Sequence, residues 1–174
     1  MKQIILLLTM ALGFNVATAQ ADVMTKHNGE EIKGKVIKLE EFTITFTYQN
    51  ETAENTVSKY AVEKIVYGSS GRVEEVTEKI NIRGKDGWEN VVILEDISYI
   101  AGLKKGSEVR GKTGLINFQT GNTGDKKAEK KLKMAAAEKG CQFILLTADK
   151  TTVGANSNSI GGSQAIKKGV SYKY

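Results

Sequence analysis

From residue 42 to residue 48 the chain alternates without a break: Phe42-Thr43-Ile44-Thr45-Phe46-Thr47-Tyr48. A large apolar or aromatic side chain at every second position, with threonine between, is the pattern of a half-buried strand. Successive side chains of a strand leave on opposite faces, so one face can be core and the other solvent. Upstream, Asp22–Lys26 and Glu31–Leu39 read as two more strands, joined by His27-Asn28-Gly29-Glu30. The Asn-Gly pair predicts a two-residue type I′ hairpin, whose central residues both need positive φ, and His27 reads as an exposed turn residue. Glu40-Glu41 turns the chain into the alternating segment. Asn55–Ser58 and Ile65–Tyr67 supply two further short strands before the break Gly68-Ser69-Ser70-Gly71. Five short strands in so little chain predict a meander that curls into a small β-barrel, which removes free edges.

Residues 68–87 read as a linker that carries Val73, Val76, Ile80 and Ile82, either as a strand or as a short helical turn. Beyond it the pattern changes. Val91–Leu94 and Val109–Phe118 are rich in β-branched residues and predict strands. A helix is expected from Asp125 to Lys139, with Asp125 or Thr123 capping its first amides and Gly140 at the left-handed position that ends it. Ala128, Leu132, Ala135, Ala136 and Lys139 share one face, a narrow stripe that lets the helix lie close to a sheet. Gln142–Ala148 and Ala165–Tyr172 read as two last strands, separated by a glycine, serine and asparagine loop at Gly154–Ser163. The expected fold class is therefore α+β: a five-stranded barrel over residues 20–67, the linker 68–87, and a ββαββ unit with one main helix over 88–174.

The first nineteen residues change the picture. Lys2 precedes an apolar run, Ile4–Val16, that ends in Ala17-Thr18-Ala19 before Gln20. The run is shorter than the ~20 apolar residues of a membrane span, and charge, apolar core and A-x-A site stand in the order of a cleavable signal peptide. The expectation is export to the periplasm or the medium, as an envelope protein of a bacterium with no later transmembrane segment. Cys141 is the only cysteine, so no internal disulfide can form, and its apolar surroundings mark it as a buried hydrophobe.

Charge divides along the chain. Residues 20–90 hold 10 basic and 13 acidic side chains, whereas residues 91–174 hold 14 and 7. Lys126, Lys127, Lys130, Lys131 and Lys133 crowd one helix and form the candidate surface for an anionic partner, to which Lys104, Lys105, Arg110 and Lys112 would add if folding brings them near. Such a partner would be an envelope protein, an anionic polymer or a glycolipid. Nucleic acid is not expected, because no aromatic side chain interleaves the lysines. The bland alternative is a solvated face with Glu129–Lys133 pairing.

Little else points to chemistry. Gly106-Ser107-Glu108-Val109-Arg110-Gly111-Lys112-Thr113 fits the phosphate-loop spacing G-x-x-x-x-G-K-[ST]. A real phosphate loop continues into a helix, but Gly114-Leu115-Ile116-Asn117-Phe118 reads as strand, so a basic turn with a strand is the expectation. One histidine and one cysteine cannot supply four structural zinc ligands. The acids Asp86 and Glu89 around Trp88, and the pair Glu95-Asp96, could serve a glycosidase-like hydrolase, but their spacing does not distinguish them from solvated acids. The sequence thus predicts no catalytic residue, no metal and no cofactor. The enzyme alternatives are phosphate or nucleotide handling through Gly106–Thr113 and hydrolysis by these acids.

Two stretches resemble known types. Asn28–Val36, Phe42–Tyr48 and Val62–Tyr67 together resemble the small Sm- or SH3-like barrels of exported Bacteroidetes proteins. The run Lys127–Ile144 is similar to the helix, glycine, apolar-strand core of small envelope α+β domains of the Rcs stress-sensor and YbjQ-like type. The chain departs from the sensor lipoproteins in lacking a lipidated cysteine and disulfides. The resemblance implies a non-enzymatic envelope protein that acts through binding.

Overall fold

A computed structural model describes residues 20–114, 121–153 and 163–174 of the chain. The expected signal peptide, the end of the strand placed at Val109–Phe118, and the loop at 154–162 lie outside the described residues.

The alternating segment near the N-terminus becomes the middle of an antiparallel sheet. Its strands are β1 (Asp22–Lys26), β2 (Glu31–Leu39), β3 (Thr43–Tyr48), β4 (Glu54–Ser58), β5 (Val62–Val66) and β6 (Val73–Glu75), in the order β4-β3-β2-β1-β5-β6. Inward positions build one core: Met24, Ile32, Ile44, Phe46, Val57, Ala61, Val62 and Ile65. Gly34 sits where β2 crosses β3, and a Cβ there would stand 2.0 Å from the Thr47 carbonyl oxygen. Only glycine fits this approach.

Two expectations are corrected here. The sheet is open and has six strands, so it is not a closed five-stranded barrel. After β5 the chain reverses at Gly71 (φ +68°), and β6 takes the outer edge of β5, pairing Lys64 with Glu75 and Val66 with Val73. The edge that closure would join to β4 is therefore occupied. The β1–β2 hairpin is also not type I′. Its loop closes through Gly29 N–H to Lys26 O (2.8 Å) and Lys26 N–H to Glu30 O (2.8 Å), and positive φ falls on Gly29 alone, at +87°. This is a three-residue loop, a turn followed by a left-handed glycine. The extra residue turns His27 inward.

The second sheet has the order β7-β9-β10-β8, from β7 (Val92–Leu94), β8 (Lys104–Lys112), β9 (Phe143–Val153) and β10 (Ser163–Lys173). β7 runs parallel to β9 and the other pairs are antiparallel. One helix, α1 (Gly121–Glu138), lies between β8 and β9 in the chain, so the expected mixed α+β architecture with a single main helix is present. It starts at Gly121, ahead of the expected Asp125. Its end follows the expected chemistry: Gly140 has φ +66°, Cys141 N–H bonds to Ala136 O (3.0 Å), and Gly140 N–H bonds to Ala137 O (2.9 Å). That pair of bonds is a Schellman motif, which satisfies carbonyls the helix would otherwise leave bare.

Ala128, Leu132, Ala136 and Ala137 of α1 are fully buried. Leu132, Ala136 and Ala137 pack with Val91, Val109, Cys141 and Ile144 on one face of this sheet. The opposite face supplies Leu94, Phe143 and Tyr172, which pack with Tyr60, Ile80, Tyr99, Leu103 and Tyr174. Rings carry this junction: Tyr60 to Phe143 at 5.4 Å and Phe42 to Tyr99 at 4.6 Å. Residues 76–82 thread all three cores, with Val76 against the first, Ile80 in the shared one and Ile82 under the helix.

Candidate functional site

The lysine-rich surface of α1 follows from the stripe that anchors it. With Ala128, Leu132 and Ala136 turned to the sheet, Lys126, Lys127, Lys130 and Lys131 face outward and are exposed. Lys133 is mostly covered and pairs with Glu129 across one turn, at 3.6 Å. Lys131 reaches the sheet edge and donates to Lys112 O at 2.9 Å. Lys130 lies over the ring of Trp88, 4.7 Å from its centroid. Trp88 comes from the 3-10 turn Lys85–Asn90, which packs against α1. The fold thus delivers to the lysines the aromatic platform that their linear sequence lacks.

Two shallow cavities flank Lys130. One, of about 380 Å³, is lined by Trp88, Thr123, Lys126, Lys127, Glu129 and Lys130. The other, of about 370 Å³, is lined by Thr113, Gly114, Lys127, Lys130, Lys131 and Met134. A groove with several ammonium groups beside an indole ring suits a ligand bearing phosphate or carboxylate: Lys130 covers the ring face, and the ammonium groups meet the charge.

The other basic residues named above lie on β8, where Lys104 and Lys105 pair with Lys173 and Tyr172 at its far end from Lys112. Arg110 and Lys112 leave the opposite face of the sheet, in register with Lys168 and Ile166. Lys139, expected on the buried stripe, is exposed and donates to Ser107 Oγ (2.7 Å) and Glu108 O (3.2 Å).

The phosphate-loop pattern has a different role from the one its spacing suggests. Gly106–Lys112 is not a turn but lies within β8, and its residues 108–112 run in register with β10. Gly111 faces α1, where a Cβ would stand 1.9 Å from Ala128 O and 2.7 Å from Leu132 N. Thr113 Oγ1 accepts from Ala165 N–H at 2.9 Å and is buried. The glycine and threonine of the motif serve helix packing and strand pairing.

The acids are also placed. Asp96 caps the 3-10 turn Ile97–Ile100, accepting from Ser98 N–H and Oγ at 2.7 Å each. These bonds hold its carboxyl below the usual range. Glu95 and Asp96 line a cavity of about 390 Å³ with Phe42, Tyr60 and Tyr99. Asp86 and Glu89 stand exposed on either side of Trp88. Cys141 is buried, its Sγ 3.7 Å from Lys139 O. Among the described residues no cluster of His, Cys, Asp and Glu groups as metal ligands, and no helix is long and apolar enough to cross a membrane.

His27, expected to be exposed, is 5% exposed. Its Nε2 lies 2.9 Å from Thr77 Oγ1, which also meets Lys59 O (3.0 Å) and Val62 O (2.8 Å). Carbonyls only accept, so the one hydroxyl proton of Thr77 goes to them and His27 Nε2–H must donate. His27 Nδ1 is then a buried acceptor, without a partner among the described residues. Its ring packs on Tyr174 at 4.7 Å, and Tyr174 OH accepts from Ile80 N–H at 3.0 Å. Burial lowers the pKa of His27, with Glu63 opposing and Lys79 adding to the shift. The cavity beside it, about 570 Å³, is lined by Glu63, Glu75, Thr77, Glu78 and Lys79.

No protein-family model, curated protein or solved structure matches this chain.

Proposed function

We propose that this chain is an exported, non-enzymatic envelope protein that binds an anionic envelope glycolipid or polymer through the outer face of α1. The observation that carries the reading is the joint placement of Trp88 and Lys130 in one groove with Lys126 and Lys127. Export rests on the pattern of residues 1–19, and the binding role rests on this groove. Each basic side chain near an anionic surface contributes about 1 kcal/mol.

Trp88 is the only tryptophan, so its emission reports on the groove directly. Titration with polygalacturonate, a soluble acidic polysaccharide, should change Trp88 fluorescence saturably, while neutral dextran should leave it unchanged. Replacing Lys126, Lys127 and Lys130 by glutamine removes about 3 kcal/mol of attraction, close to a hundredfold in affinity. A triple variant that binds as tightly as the parent would overturn the reading.

A further inference from the structure

The second sheet carries cations on the face turned away from α1. In the register, Lys150, Ile166 and Lys112 are neighbours across three strands, and so are Ala148, Lys168 and Arg110 in the next row. Lys150, Lys168, Arg110 and Lys112 are exposed, with half-buried Ile166 among them. Strand spacing and rise confine their Cα atoms to a patch of roughly 10 by 7 Å. Lys168 and Arg110 stand directly opposite each other, an arrangement that like charges disfavour.

Among the described residues none of the four is in an ion pair. The ion pairs among the described residues are Lys26–Glu30, Lys38–Glu40, Arg72–Glu74, Lys133–Glu129 and Lys167–Asp149. Glu108, the next residue of β8 on this face, pairs with none of the four. Residues 1–19, 115–120 and 154–162 contain no aspartate or glutamate, so no carboxylate from them can fill the role. The contrast with Lys167 is informative. One position along β10 and turned to the helix side, it is buried and matched by Asp149. The sheet supplies a counter-charge inside and omits it outside.

We infer that the exposed end of this sheet face, beyond the Phe143–Tyr172 junction, is a second docking surface, for an anionic lipid bilayer, and that with the α1 groove it makes the chain a two-sided bridge. A sheet surface presents its charges in a near-plane, which matches a bilayer better than a single polymer strand, and Ile166 offers an apolar contact at its centre. The bridging half of the inference rests on the α1 groove being a binding surface; the bilayer half does not.

The test uses the chain with vesicles of phosphatidylglycerol and phosphatidylcholine that also carry an anionic glycolipid, sulfatide, and with phosphatidylcholine alone as the neutral control. Co-sedimentation reads binding and light scattering reads vesicle clustering. The parent should bind and cluster the anionic vesicles only. Lys150→Glu with Lys168→Glu should lose clustering and weaken vesicle binding about thirtyfold or more. The unfolding midpoint should not fall, because the second substitution sets a carboxylate opposite Arg110 in place of a like charge. Lys126→Gln, Lys127→Gln and Lys130→Gln together should lose clustering while keeping binding through the sheet. If this helix variant loses all vesicle binding, the sheet face binds no bilayer and the inference fails. If it clusters like the parent, bridging and the groove reading fall while the sheet surface stands. If the sheet variant binds vesicles like the parent but loses polygalacturonate, the surface serves a polymer and the bilayer assignment is overturned. A parent that binds no anionic vesicles also overturns it.

Discussion

Replacing Gly111 by alanine separates two meanings of one motif. In a phosphate loop this glycine would matter for a ligand; in this fold it matters for the seat of α1. The added Cβ would lie 1.9 Å from Ala128 O, whereas ordinary contact begins at 3.4 Å. The helix must therefore retreat by about 1.5 Å at that point, and both atoms it meets belong to backbone, which cannot rotate away. A radial gap of even 0.5–1 Å forfeits a quarter to a half of each dispersion contact along the seam, here shared by Val109, Leu132, Ala136 and Ile144. Overpacking of a tight core costs about 1–3 kcal/mol, and a rigid backbone neighbour puts Gly111→Ala at the upper end, near 3 kcal/mol. For a chain of this size that lowers the thermal midpoint by about 6–12 °C. Gly114→Ala is the control, since a Cβ there meets nothing within 4 Å, and it should stay within about 0.5 kcal/mol of the parent. Gly106→Ala should fall between, because its nearest neighbour is the Ser171 hydroxyl at 2.7 Å. Urea unfolding followed by Trp88 emission reports on the affected core. A Gly111→Ala protein as stable as the parent, or a Gly114→Ala protein that is the less stable of the two, would refute the packing argument.

Two further outcomes test the local chemistry. Because His27 has a pKa below its ordinary value of 6.5, the unfolded chain binds its proton more readily than the folded one; stability is complete above pH 6.5 and declines as pH falls below it. His27 is the only histidine, so the slope of unfolding free energy between pH 6.5 and 5 should flatten in His27→Gln; an unchanged slope would show that another group titrates there. Gly140→Ala places a side chain at φ +66° and should destabilise by about 1–2 kcal/mol through backbone strain alone, measured by urea unfolding; a neutral effect would mean the Schellman turn relaxes into another helix end.

Strands β1 to β3, the helix stop at Gly140 and the burial of Cys141 were legible in the chain, because each depends on short-range rules. Alternation sets which side chains share a face, a glycine supplies the left-handed residue after a helix, and a small thiol in an apolar run goes inside. The outward placement of Lys126, Lys127, Lys130 and Lys131 was legible for the same reason, since helical spacing decides which positions lie opposite Ala128 and Leu132, whereas Lys133, counted with them, is mostly covered. What tertiary structure alone decided were relations between distant segments. Thr77 and Tyr174 draw His27 inward, α1 makes Gly111 obligatory, and Trp88 reaches Lys130 across 42 positions. The register of β8, β9 and β10 gathers Arg110, Lys112, Lys150 and Lys168, and β6 keeps the first sheet open. No local periodicity encodes a register or the partner of an edge. Those follow from which cores can be buried at once, a property of the whole chain.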